Sequence, residues 1–107
     1  MVVAVTATTF DVLAEPTRRR ILDLLREGER SVGELVERLR HSQPGVSKHL
    51  RVLREAGLVD VRQDAQRRLY GLRPEPLAEI DEWLAPYRGL WSGHLDALEE
   101  HLKEAGR

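Results

Sequence analysis

The sequence predicts a mainly α fold carrying one small β-hairpin, and three observations predict it. Apolar residues recur at helical spacing through the first half of the chain, and two of these runs open with a hydroxyl-x-x-carboxylate signature, Thr8 to Asp11 and Ser31 to Glu34. After Gly57 the period changes to alternation in Leu58-Val59-Asp60-Val61-Arg62 and again in Arg68-Leu69-Tyr70-Gly71-Leu72. From Pro76 to Lys103 the three-and-four spacing returns through Leu77, Ile80, Leu84, Tyr87, Trp91, Leu95, Leu98 and Leu102.

Each element has its own local cause. Thr8 and Asp11 cap a short helix containing Val12 and Leu13, which Glu15-Pro16 interrupts. Proline suits a first helical turn, where the missing N–H has no intrahelical partner, so a second helix runs from Pro16 to about Glu27 with Ile21, Leu22, Leu24 and Leu25 inward. Gly28 is expected in the left-handed position that closes it. Ser31 and Glu34 open a third helix with Leu35, Val36 and Leu39 inward, and Arg40-His41-Ser42 carries turn chemistry. Ser42 caps a fourth helix, with Pro44 tolerated in its first turn. The two strands follow, joined by the polar link Gln63 to Arg67, with Val59, Val61, Tyr70 and Leu72 expected on one face. Pro86 is expected to kink or split the last helical segment, giving pieces of roughly 76–85 and 87–104.

A chain of 107 residues, 41% hydrophobic, is expected to be one domain whose core is completed by a second copy. It divides into a core and hairpin over residues 8–73 and dimerisation helices over 74–104. No cysteine is present, which excludes disulfides, thiolate metal sites and thiol redox chemistry. The run Val2-Val3-Ala4-Val5 is too short for a signal sequence, and no apolar run approaches the ~20 residues of a spanning helix, so a cytoplasmic protein without membrane association is expected. Net charge is −1, but residues 1–73 hold 14 Lys or Arg against 10 Asp or Glu, while residues 74–107 hold 3 against 8. A basic half beside an acidic half favours a polyanion at one end of the molecule.

The fourth helix carries the most informative pattern. At 100° per residue Val46, Leu50 and Leu53 share one face, and Pro44, Ser47, Lys48, Arg51 and Glu55 cluster opposite. Two short helices joined by a brief turn, the second amphipathic and basic, outline a helix-turn-helix, and a hairpin directly after it is a wing. Gln43 can present its amide to adenine, and Lys48 and Arg51 can donate to guanine or phosphate. Pro44, Ser47 and His49 complete the candidate contacts on this helix, with His49 at the edge of the apolar face. Arg62, Arg67 and Arg68, near the wing tip, are placed to meet phosphates or the minor groove. Arg18, Arg19 and Arg20 read mainly as solvated or ion-paired, with Arg18 nearest to a phosphate role. Phe10, Leu13, Leu77, Ile80, Leu84, Tyr87, Trp91, Leu95 and Leu98 form the expected dimer interface. Trp83 and Trp91 read first as core and second as the lining of a ligand pocket.

Phe10 to Leu22 and Gln43 to Val59 closely resemble the ArsR/SmtB winged helix-turn-helix regulators, over about residues 8–104. Leu84-Ala85-Pro86-Tyr87-Arg88 through Trp91 resembles the non-metal branch of that family, of the SdpR kind. The resemblance implies a homodimer held by N- and C-terminal helices that binds double-stranded DNA at an imperfect palindrome and represses transcription, often of its own gene. The chain departs from the metal sensors. Glu34 to Leu39 stands where thiolate sensors carry cysteines, and the Asp-x-His pair of the zinc sensors is absent. His94, Asp96, Glu100 and His101 share a helix and read as solvated residues beside a leucine stripe, so no metal site and no cofactor is expected. The link between the strands also lacks the glycine common there in relatives. No inducer is named by the sequence, and the sign of the transcriptional effect is open between repressor and activator. A rival class is a winged-helix module that binds a protein through its acidic half. An enzyme would need a nucleophile, base and orienting group, and none is found.

Overall fold

In the computed structural model residues 8–106 are described, so the Val2 to Val5 run lies outside the described residues. The chain forms α1 (Thr9–Leu13), α2 (Pro16–Arg26), α3 (Val32–Leu39), α4 (Gln43–Glu55), β1 (Val59–Asp64), β2 (Arg67–Leu72) and α5 (Leu77–Ala105). The helix starts follow from the caps read in the sequence. Thr8 Oγ1 accepts the Asp11 N–H at 3.2 Å while the Asp11 carboxylate accepts the Thr8 N–H at 3.0 Å. Ser31 and Glu34 do the same at 3.3 and 3.2 Å, and Ser42 Oγ accepts from Gly45 at 3.2 Å. Pro16 opens α2, where the cap is the Glu15 carboxylate accepting the Arg18 N–H at 3.1 Å.

Of Gly28 and Gly57, which follow α2 and α4, only Gly57 takes the left-handed helical position. Gly28 has φ +149°, outside the left-handed helical region, because the chain leaves α2 in an extended path toward Arg30. Arg40 takes the left-handed position after α3 (φ 53°, ψ 45°), and Gly57 (φ 76°) takes it after α4. At Gly57 two of the carbonyls left open by the helix end are met: Gly57 N–H donates to Arg54 at 2.9 Å and Leu58 N–H to Leu53 at 2.9 Å.

Val12, Ile21, Leu25, Leu35, Val46, Leu50, Leu53, Leu58 and Val59 form the core, shared by α1 to α4 and the root of the hairpin. Val59 pairs with Leu72 and Val61 with Tyr70, so these four share the inner face as expected. The strands run further than the sequence suggested. Asp64 pairs with Arg67, leaving only Ala65 and Gln66 in the turn, and Ala65 (φ 56°) adopts the left-handed conformation that a glycine would take more cheaply. Arg30 and Tyr70 exchange backbone hydrogen bonds at 3.0 and 2.8 Å, fastening β2 to the α2–α3 connection.

The last segment departs from expectation. Pro86 does not split it; α5 is one helix of 29 residues. Proline removes a single N–H, the affected turn is exposed to solvent, and Arg88 spans the proline to pair with the Asp81 carboxylate and donate to its carbonyl at 3.2 Å. α5 packs on α1 at its start and then leaves the body, so the radius of gyration is 19.0 Å where a compact chain of ~100 residues has ~13 Å. Trp83 and Trp91 are each 55% exposed and therefore lie outside the core, contrary to the first reading of them.

Candidate nucleic-acid interface

α4 is anchored from one side only. Val46, Leu50 and Leu53 are buried at 0 to 1% exposure, while Gln43, Pro44, Ser47, Lys48 and Arg51 face solvent. Pro44, Ser47, Lys48 and Arg51 together line a shallow open depression, so the structure groups four of the sequence candidates on one face. Among the described residues neither Lys48 nor Arg51 makes an ion pair, which leaves both cations available to an external anion. Arg54 extends this row, bordering a second depression with Arg51 and Glu55. It was not among the sequence candidates, although its three-residue spacing from Arg51 was available as a signal.

His49 sits apart from that row. Its side chain is 16% exposed and its Nδ1 accepts from Arg18 Nε at 3.3 Å. Arg18 is half-buried and turned inward, donating also to the Val12 carbonyl at 3.3 Å. Arg19 donates to the Leu13 carbonyl at 2.6 Å.

The wing arginines do not share one face. Arg62 and Arg67 lie on the outer side of the hairpin, whereas Arg68, opposite Gln63, lies on the side that continues the core face. Arg62 Nε donates to both Glu29 oxygens at 3.0 and 2.8 Å. That hydrogen bond holds the Glu29 carboxyl below its ordinary range. Arg67 is 3.9 Å from Glu34 and 4.0 Å from Asp64, and Arg68 makes no ion pair among the described residues. Glu29 and Glu34 are thus wing partners that the sequence reading missed, because nothing local marks a carboxylate as the partner of an arginine 33 positions away.

At the other end of the molecule an aromatic ladder crosses from α1 to α5. Phe10 meets Trp83 edge-on at 5.8 Å between ring centres, and Trp83 meets Tyr87 at 5.0 Å. Phe10, Tyr87, Trp91 and Leu98 of the expected interface are exposed, as are Trp83, Leu90 and Leu102. Leu13 and Leu77 pack against this chain's own core and, like Ile80 and Leu84, are half-buried. The side chain of Leu95 lies outside the described residues. Among the described residues no group of three or more histidine or acidic side chains is placed to hold a metal, and no helix is long and apolar enough to cross a membrane.

Comparison with known proteins identifies this arrangement. Residues 15–61, from the start of α2 into β1, match the family described as bacterial regulatory protein, arsR family. The transcriptional repressor SdpR of Bacillus subtilis is 33% identical over 75 residues, covering 70% of this chain and 83% of that protein. The chain belongs to the arsR family. A second member, the biofilm growth-associated repressor of Agrobacterium fabrum, is 42% identical over 78 residues, covering 73% of this chain and 67% of its own length. Among solved structures, a possible transcriptional regulator for arsenical resistance superposes with TM-score 0.63 at 44% identity, covering 82% of this chain and 88% of that one. The arsR family resemblance seen in Phe10 to Leu22 and Gln43 to Val59 is therefore shown, as is the winged-helix architecture. A relative named for arsenical resistance does not bring its chemistry with it, because this chain has no cysteine to supply a thiolate.

Proposed function

We propose that this arsR-family chain is a sequence-specific DNA-binding repressor of transcription that acts as a homodimer, with α4 as the helix that enters the major groove. The observation that carries this reading is the pair Lys48 and Arg51, exposed and without internal ion pairs, on a helix whose other face is fixed in the core. The names of the relatives, repressors among them, support the same reading. Gln43 reads adenine, Lys48 and Arg51 guanine or phosphate, and Pro44 and Ser47 pack beside them, with Arg62, Arg67 and Arg68 adding phosphate contacts. The exposed aromatic and leucine residues of α5, continuous with Phe10 of α1, form an apolar surface of the kind a second copy covers. Two-fold symmetry then sets two α4 helices about 34 Å apart, on an imperfect palindrome with half-sites centred ~10–11 bp apart or at a longer helical multiple. The chain's own promoter is the first place to seek it, and the cytoplasm is where it works.

A fluorescence-anisotropy titration tests this, using duplex DNA from upstream of the chain's own gene, a scrambled duplex and a salt series. The expected result is a preference of ~10³ or more for the first duplex. Equal, weak, salt-insensitive behaviour toward both duplexes, together with capture of a protein partner by the acidic helix, would replace the reading by a protein-interaction module.

A further inference from the structure

We infer that Arg18 is a positioning residue for the reading helix, acting through His49, and that α4 is held in its DNA-binding orientation only while Nδ1 of His49 carries no proton. The inference rests on α4 being the DNA-reading helix. One guanidinium joins three elements: Arg18 stands in α2, donates through Nη1 to the Val12 carbonyl of α1 at 3.3 Å, and donates through Nε to His49 of α4 at 3.3 Å. His49 follows Lys48 directly and precedes Arg51 by two positions, so the contact fixes the rotation of α4 about its own axis. The apolar anchors Val46, Leu50 and Leu53 hold the helix against the core, but leucine and valine tolerate small rolls that a directional hydrogen bond does not.

The proton count follows from the donor. A guanidinium Nε–H only donates, so Nδ1 of His49 accepts and the neutral ring keeps its proton on Nε2. Nε2 faces the Glu15 carboxylate at 3.9 Å. A second proton, added at Nδ1, sets N–H against N–H and a cation beside the guanidinium. The charged and titratable groups around the ring are Glu15 at the cap of α2, Arg18 within α2, His41 from the turn before α4, its ring centre 5.8 Å away, and Lys48 on α4 itself; α1 contributes the Val12 carbonyl held by Arg18. Burial disfavours the second proton most, the Glu15 carboxylate favours it, and Arg18, His41 and Lys48 disfavour it, so His49 titrates below its ordinary value.

The consequence has a sign that separates two roles for this histidine. A histidine that touches phosphate tightens its grip as it becomes charged, whereas the brace predicts that acidification loosens it. Two measurements test this on the full chain. In the free protein, the His49 ring titration is followed by NMR in wild type and in Arg18→Met; removal of the donor and of its charge is expected to raise the His49 pKa. For DNA, affinity is measured from pH 7.5 to 5 against a duplex that the protein itself enriches from a random-sequence pool, in wild type and in His49→Asn, whose side-chain oxygen replaces Nδ1 as acceptor without titrating. Wild type is expected to lose about three- to tenfold relative to His49→Asn as the pH passes below the His49 transition. Both proteins in this comparison carry His41→Asn, wild type meaning that His49 is retained, so the charge of His41 does not enter the ratio. An unchanged His49 pKa in Arg18→Met, or a wild-type affinity that is flat or rises on acidification relative to His49→Asn, overturns the brace while leaving the DNA-binding reading intact. Failure to enrich any duplex overturns the DNA-binding reading and the brace's role in it together.

Discussion

Replacing Arg51 by alanine, and separately Lys48, gives the cleanest separation of binding from folding. Both side chains are exposed and neither takes part in an ion pair among the described residues, so each substitution should change unfolding free energy by no more than ~0.5 kcal/mol. A bidentate contact to guanine is worth ~1–3 kcal/mol, so operator affinity should fall about 5- to 150-fold where the residue reads a base. A residue that meets only phosphate leaves a different trace: affinity falls for all sequences alike, and the slope of log K against log salt drops by ~0.9. Anisotropy titrations at several salt concentrations, paired with urea unfolding of the same proteins, measure both quantities. Unchanged affinity and unchanged salt slope in both variants would show that the exposed face of α4 is not the reading face, whatever else binds DNA.

Trp91→Asp sets a charge in the middle of the apolar α5 surface and should convert a dimer to monomer in sedimentation; a stable dimer would move the interface elsewhere. Glu29→Gln frees Arg62 from its internal carboxylate and removes an anion from the wing, so DNA affinity should rise about two- to fivefold, the scale of one surface ion pair. A fall in affinity would mean that Glu29 orients Arg62 rather than competing for it. Gly57→Ala forces a β-carbon into the left-handed region and should cost ~1–2 kcal/mol in chemical denaturation; no loss would mean the backbone there relaxes freely. Stability should also fall with acid in two stages. His49 is depressed in the fold, so its contribution is whole above about pH 6.5 and is lost as pH falls through its folded pKa; Asp11, Glu29 and Glu34, also depressed, follow below about pH 4.5. A urea midpoint that stays flat from pH 7 to 3 would contradict this.

What the sequence made legible was local chemistry and periodicity. Thr8 with Asp11 and Ser31 with Glu34 sit three residues apart, so their reciprocal caps needed no tertiary information. The alternation in both strands fixed Val59, Val61, Tyr70 and Leu72 on one face, and the 100° step separated Lys48 and Arg51 from Val46 and Leu50. Long polar side chains were not legible in the same way. Arg18 can reach outward to solvent or inward to Val12 and His49, and only the packing of α1, α2 and α4 decides. Arg62 likewise found Glu29 across 33 positions. At Pro86 a general rule was applied too strongly, since one missing hydrogen bond does not outweigh the turns on either side of it and the Arg88–Asp81 clip across it.

The paired backbone hydrogen bonds between Arg30 and Tyr70 make the connection between α2 and α3 a third, one-residue strand beside the hairpin. The wing is therefore riveted at its root rather than hung from a flexible tether. Hairpin and α2–α3 connection travel as one casting, and a change that moves the wing has to carry that connection with it instead of flexing the wing upon a stationary base.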